Sequence, residues 1–320
     1  DLAALARRAH ARLVLGSARL VDRDARLVGL GGGRPIGYDE LIVAVGARRA
    51  AAYDHGATFD PVATDLRLLA RRMHNGDVRS VAIVVPPAVG WTLPAYELAL
   101  LLRRVAGARA AIALLTPEDT PLHAFGPHVS DAIADLLAGA GVELHTSAYC
   151  MPHSRGRVSI RPHLEQLVFD RVISMPVLHG PGLAGLPADR DGFLPTDRRG
   201  RVIGAPHVHA AGDATTFPVK QGGLATQEAD AAAADVVRAL GADVPERQFR
   251  PVLRGKLVID GTPRFLHHPA HGGAGEGSIS TSPLWSPAEK LGGRLLTPAL
   301  RRGGGGLSAR PATELESLTL

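Results

Sequence analysis

Apolar and polar positions change rhythm along this chain, and each rhythm predicts different elements. Near the start, short apolar pieces (Ala11-Arg-Leu-Val-Leu15, Ala18-Arg-Leu-Val-Asp22 and Ala25-Arg-Leu-Val-Gly29) precede the Gly31-Gly-Gly33 turn and Pro35. That alternation predicts a small antiparallel ribbon, and Leu41 to Val45 reads as a buried strand after it. Between about 55 and 175 the runs become continuous. Ser80–Val85 and Ala110–Leu115 read as buried strands, Pro94–Val105 and Val129–Ala140 as helices, and Val142–His145 as the next strand. This β–α–β–α–β order indicates an open parallel sheet. Val208–Ala211 is a further strand, and Gln221–Leu240 is a long Ala-rich helix stopped by Gly241. Pro251–Gly261 and Pro283–Leu300 are apolar pieces separated by loops, and residues 303–320, rich in Gly, Ser and Thr, are expected to be disordered.

Composition narrows the class. The 320 residues suffice for two domains, and 45% apolar with 21% charged residues fits a globular protein. The net charge of +5 would favour anionic nucleotides or an anionic surface, although an Arg-rich, Ala-rich composition is the better explanation. With 4% aromatic residues and no basic-aromatic interleaving, nucleic-acid binding is not expected. No apolar run approaches the ~20 residues of a membrane span, and no signal-like segment opens the chain, so a cytoplasmic location is the expectation. Cys150 is the only cysteine, which excludes an internal disulfide.

The most informative stretch runs from Val208 to Ala234. An apolar strand ends in Gly212-Asp213, a turn follows, and Gly222-Gly223 opens the long helix. An Asp at a strand end can accept hydrogen bonds from sugar or ribitol hydroxyls. The free N–H groups of a helix start can face an electron-rich carbonyl. From Gly212-Asp213 through Ala234, including Pro218-Val-Lys-Gln-Gly-Gly223, the sequence resembles the second FAD signature of the pyridine nucleotide-disulfide oxidoreductase superfamily. The nearest branch is that of sulfide:quinone reductases and type II NADH dehydrogenases. The bland alternative is a strand, a turn and an ordinary helix.

The resemblance implies an α/β flavoprotein with two dinucleotide-binding, Rossmann-like domains (for FAD and NAD(P)), incomplete at its N-terminus and extended at its C-terminus. Residues 1–54 and 176–245 would form the FAD-binding domain, 55–175 the NAD(P)-like domain, and 246–302 the extension. It implies FAD as cofactor, held by Gly46, Gly212, Asp213, Lys220, Gln221, Gly222, Gly223 and Ala225. Ala44-Val45-Gly46 matches the family segment where a strand ends beside the flavin; Gly46 either admits the cofactor or merely closes a strand. Lys220 is either a charge near the flavin ring or a solvated surface lysine. A small-molecule donor and acceptor are implied, with a quinone and peripheral membrane contact as the branch suggests. No catalytic side chain is assigned, and oligomeric state is left open.

Three departures qualify the resemblance. The family's opening Gly-x-Gly-x-x-Gly loop has no counterpart after Asp1, so tight FAD binding by this chain alone is not expected; a mis-started gene model or a fragment is favoured over a truncated protein. The phosphate loop of the second domain is replaced by Pro86-Pro87-Ala-Val-Gly90-Trp91, whose prolines lack N–H donors, and this argues against NAD(P). Glu118, where a ribose-binding carboxylate would stand, is expected to be an exposed loop residue. Lone Cys150 cannot form a redox pair, which argues against disulfide reduction and sulfide oxidation. His267, His268 and His271 are expected in a solvated Gly/His loop, with no metal. The alternative function is a degenerate, non-catalytic flavoprotein fold kept as an interaction module.

Overall fold

The computed structural model describes residues 2–61, 65–162, 164–259, 262–269, 276–286, 288 and 293–301. The 303–320 segment, His271 and parts of the Pro283–Leu300 stretch lie outside the described residues.

After helix α1 (Leu2–Arg8), strands β1 (Ala18–Asp22), β2 (Leu27–Leu30) and β3 (Ile36–Gly37) pair in order as the expected antiparallel ribbon. Ala11–Leu15 is not a strand; Leu13, Val14 and Leu15 are exposed there, with no ladder to pair with. β4 covers only Leu41–Val43 of the expected Leu41–Val45 strand. Val43 is buried, but Ile42 and Val45 face outward. β5 (Arg48–Ala50), β6 (Ala57–Thr58) and α2 (Leu66–His74) lead into the central layer.

That layer contains β7 (Ser80–Val84), α3 (Leu93–Ala106), β8 (Ala111–Leu115), α4 (Pro127–Ala140) and β9 (Glu143–His145). An antiparallel ribbon follows, β10 (Tyr149–Pro152), β11 (Arg157–Arg161) and β12 (Glu165–Val168), before β13 (Arg171–Ser174) returns to the sheet. The sheet runs β6-β13-β7-β8-β9, parallel throughout, with Ser80 beside Ala111 and Arg171 beside Val81. Its strands are near-continuous apolar runs because both faces are covered. Val81, Ile83, Ile112 and Leu114 pack with the helices, while Ala82, Val84, Ala113 and Leu115 pack with Cys150, Val158 and Ile160 of the ribbon. This is the period-two division of a strand. Prolines at the first turns of α3 and α4 suit their starts, and Gly107 and Gly141, both at positive φ, end them.

The chain then returns through β14 (Val177–His179), antiparallel to β5, and β15 (Val208–Ala210), parallel to β4. Helix α5 (Gly222–Ala239) packs on β15 over a smaller core that includes Val43, Leu194, Val208 and Ala214. β16 (Val252–Ile259), β17 (Thr262–Pro269) and β18 (Ser278–Ser280) form one antiparallel sheet, and α6 (Leu296–Arg301) ends the described chain. The C-terminal stretch is therefore more than loop-linked apolar pieces: Leu253, Leu257 and Leu266 join the main core beside Leu93 and Phe125. His267 and His268 stand in β17, correcting the expectation of a solvated loop.

Candidate functional site

β15 ends where Gly212, at φ 75°, turns the backbone into a short 3-10 turn over Gly212–Ala214. Its N–H donates to Glu228 Oε2 at 2.5 Å, and a Cβ at this position would lie 3.3 Å from Ala225 Cβ. Gly212 and Ala225 are thus small where the strand end meets α5. The turn presents Asp213, whose carboxylate accepts no hydrogen bond among the described residues although it is half-buried. Burial pushes its pKa up, and the Lys220 and Arg49 charges oppose that.

The following turn is locked from two sides. Gly90 sits against the Pro218 carbonyl, so closely that a Cβ would overlap it. The one glycine of the proline-rich loop therefore serves loop-to-loop packing. Lys220 donates to the Thr215 carbonyl and places Nζ 4.0 Å from the centre of the Phe193 ring. Burial lowers its pKa against the Asp213, Glu228 and Asp189 charges. It is half-buried and engaged with Thr215 and Phe193 rather than extended into solvent.

Gln221 caps α5. Its Oε1 accepts from Leu224 N at 3.0 Å, and its Nε2 donates to the Arg254 carbonyl of β16 at 2.8 Å. Gly223 leaves room for that amide, since a Cβ there would lie 2.9 Å from Gln221 Oε1. Gly222 and Gly223 occupy the first turn, where helical N–H groups have no intrahelical acceptor.

A cavity of about 820 Å³ opens where these elements meet. Its walls are chiefly apolar (Phe59, Val89, Trp91, Met175, Pro176 and Leu178), with Arg49, Glu97, Asp213 and Lys220 as charged groups. Gly46 also lines it, at φ 71° with no protein atom within 4 Å of where a Cβ would be. The fold thus brings Gly46, Asp213 and Lys220 to one cavity from distant parts of the sequence. Gly212, Gln221, Gly222, Gly223 and Ala225 stand behind it in supporting positions and do not line it.

Glu228 was not legible as a site residue. It is buried beside Gly212, accepts from Thr215 Oγ1 at 3.0 Å, and has its pKa pushed up to about 7, chiefly by burial. The available signal was its place on the inward stripe Leu224, Glu228, Ala231, Asp235 of α5, where acidic residues interrupt apolar ones. Asp235 is held by Arg201 through two bonds of 2.6 and 2.8 Å and by His209 Nε2 at 2.9 Å.

Glu118 corrects another expectation. It is buried, and its carboxylate accepts from Thr92 Oγ1 (2.9 Å), Tyr96 OH (2.7 Å) and Thr116 Oγ1 (3.1 Å). These bonds tie the proline-rich loop and α3 to the end of β8. Cys150 is buried in the ribbon, outside the cavity lining, with its thiol pKa pushed up to about 12 by burial. Among the described residues no group of three or more His, Cys, Asp or Glu is placed to hold a metal, and no helix is long and apolar enough to cross a membrane.

Comparison with known proteins agrees with this arrangement. The sulfide:quinone oxidoreductase of Aquifex aeolicus superposes with a TM-score of 0.75 at 18% identity, over 86% of this chain and 72% of that one. A ferredoxin reductase from Rhodopseudomonas palustris gives 0.60 at 19% identity, over 82% and 66%. A NAD-dependent persulfide reductase from A. fulgidus gives 0.60 at 16%, over 83% and 51%. At such identities the likeness establishes the fold alone. No curated protein matches the sequence significantly. The family model for pyridine nucleotide-disulphide oxidoreductases matches residues 4–234, from α1 into α5 and across every wall of the cavity. The chain therefore belongs to the pyridine nucleotide-disulphide oxidoreductase family, and its enzymatic class is that of an FAD-dependent oxidoreductase.

Proposed function

We propose that the cavity lined by Gly46, Asp213 and Lys220 holds the flavin of an oxidoreductase that passes electrons to a quinone. The observation that carries this reading is Asp213: a half-buried carboxylate without a protein donor among the described residues, lining a largely apolar cavity. A half-buried acceptor in that state is open to a hydrogen-bond donor from a ligand. The residues present fit an FAD. Trp91, Phe59 and Met175 offer apolar surface for a planar ring, Gly46 leaves space for close approach, and Asp213 suits ribitol or ribose hydroxyls. The flavin, when bound, would supply the electron-transfer chemistry.

The chain's own residues tune that site. Lys220, held by Thr215 and Phe193, keeps a positive charge beside Asp213. Behind the cavity, the first turn of α5 at Gly222 and Gly223 adds the partial positive charge of a helix N-terminus. Both favour negative charge gathered on the ligand. Glu228, behind Gly212, is a carboxyl able to hold a proton near neutral pH.

The second domain is poorly suited to a nicotinamide donor. Pro86 and Pro87 remove backbone donors, Gly90 is packed on Pro218, and Glu118 is satisfied by three side-chain hydroxyls. NAD(P)H is therefore not our proposed donor. Lone, buried Cys150 argues equally against sulfide. A quinone acceptor rests on the resemblance to the sulfide:quinone branch. The domain division stated from the sequence, with 1–54 and 176–245 around the flavin, is part of this proposal. The test is flavin content of wild type and Asp213→Ala, followed by reduction trials with NADH, NADPH, sulfide and quinols. The reading expects lower occupancy in Asp213→Ala and redox exchange with quinones. Unchanged occupancy removes the Asp213 assignment, and failure to bind any flavin favours the non-catalytic interaction module.

A further inference from the structure

A second cavity, of about 560 Å³, lies between α5, the segment before β16, β16 itself and the turn before α6. Four arginines line it: Arg247, Arg250, Arg254 and Arg294. Among the described residues none of the four side chains makes a hydrogen bond or an ion pair. Arg254 is the telling one, because its Nε is fully buried with no acceptor. A buried guanidinium N–H without a partner is costly, and native structures rarely leave one so.

Two acidic residues share the cavity, and neither meets this demand. Glu246 is already bound by Arg199 at 2.7 Å and Gln248 at 3.0 Å. Asp230 lies within the fields of Arg247 and Arg294 without bonding either, and burial raises its pKa. Positive charge is thus in excess by two among the cavity's own residues, four Arg against Asp230 and Glu246.

We infer that this arginine-lined cavity binds a small molecule bearing a phosphate group. Guanidinium groups match phosphate oxygens bidentately, and several converging on one cavity select a multiply charged oxyanion over a single carboxylate. The volume exceeds the needs of a lone inorganic ion and falls in the range of small-ligand sites, roughly 300–1,000 Å³. A phosphate carried on a larger body, such as a nucleotide, fits both features. This site shares no lining residue with the cavity of Asp213 and Lys220. The inference therefore stands apart from the flavin reading.

The test is isothermal titration calorimetry on the full chain with ADP and, separately, inorganic phosphate, at constant ionic strength set by chloride. One-to-one binding of ADP, displaced by inorganic phosphate, is expected. Arg254→Gln and Arg294→Gln should each weaken it by about tenfold, the loss of one charge-assisted hydrogen bond. Lys220→Met should leave it unchanged. Arg294 is exposed, so its replacement keeps the test valid should Arg254→Gln fold poorly. Binding of phosphate alone, with ADP no tighter, keeps the site and identifies a free-phosphate ligand. Absent saturable heat, heat that only tracks ionic strength, or affinity lowered by Lys220→Met rather than by the arginine changes overturns the inference.

Discussion

Replacing Glu228 with Gln should stabilise the protein above neutral pH and leave it almost unchanged in acid. In the folded chain burial moves this carboxyl from its ordinary 4.5 to about 7, so the neutral form is the one the fold prefers. The sign follows from proton uptake. Between 4.5 and 7 the folded state keeps a proton that the unfolded state has lost, so stability falls as pH rises through that window. At about 1.4 kcal/mol per pH unit, the loss by pH 8 approaches roughly 3 kcal/mol. The neutral pattern is fully satisfiable: Gly212 N–H donates to one carboxyl oxygen, the protonated oxygen donates to Thr215 Oγ1, and Thr215 donates to the Gly212 carbonyl at 3.1 Å. A glutamine amide reproduces every one of these bonds with no charge to bury. Urea unfolding of both proteins at pH 5 and pH 8 reads the difference, since other titrating groups are common to the pair. The expected advantage of Glu228→Gln is under about 1 kcal/mol at pH 5 and about 2–3 kcal/mol at pH 8. Parallel stability–pH curves would refute the reasoning.

Gly90→Ala should cost about 1–3 kcal/mol and weaken flavin binding, because the new methyl group must push the proline-rich loop off the Pro218 carbonyl; urea unfolding and flavin titration measure both, and wild-type values contradict the packing described. Cys150 should stay unreactive toward a thiol reagent at pH 8 while the chain is folded and react fully in urea, given its burial and a pKa near 12. Asp235→Asn should destabilise by about 2 kcal/mol at pH 7. Arg201 and His209 hold its pKa down at about 2, so that stabilisation is present above the ordinary 3.8 and lost as pH falls toward 2. A constant gap between Asp235→Asn and wild type down to pH 2 contradicts the ion-pair account.

The central layer was the most legible part of the fold. Ser80–Val84 and Ala111–Leu115 are apolar on both faces, and Pro94 with Gly107, or Pro127 with Gly141, bracket the helices that follow them. Local signals sufficed there because each element carries its own start, stop and period. The failures share a different cause. The pattern Ala11–Leu15 is as strand-like as Ala18–Asp22, yet a strand needs a neighbour that no local pattern reveals. Glu118 reads as a loop carboxylate until Thr92 and Tyr96 arrive from α3. The site divides in the same way. Gly212-Asp213 and the capped start of α5 were readable as one continuous phrase. The meeting of Gly46, Trp91 and Asp213 at one cavity, and of Gly90 with Pro218, depends on chain segments remote in sequence. Glu228 is legible only in retrospect, as a charge on a buried helix stripe.

Titration of the chain with FAD, followed by quenching of flavin fluorescence, tests the central claim most directly when wild type is compared with Asp213→Ala and Lys220→Met. The account predicts saturable quenching by wild type, with affinity lowered at least about tenfold by Asp213→Ala, as expected for losing a charged acceptor. Quenching that never saturates, or that is indifferent to both substitutions, would mean that the cavity between Gly46, Asp213 and Lys220 is not a flavin site.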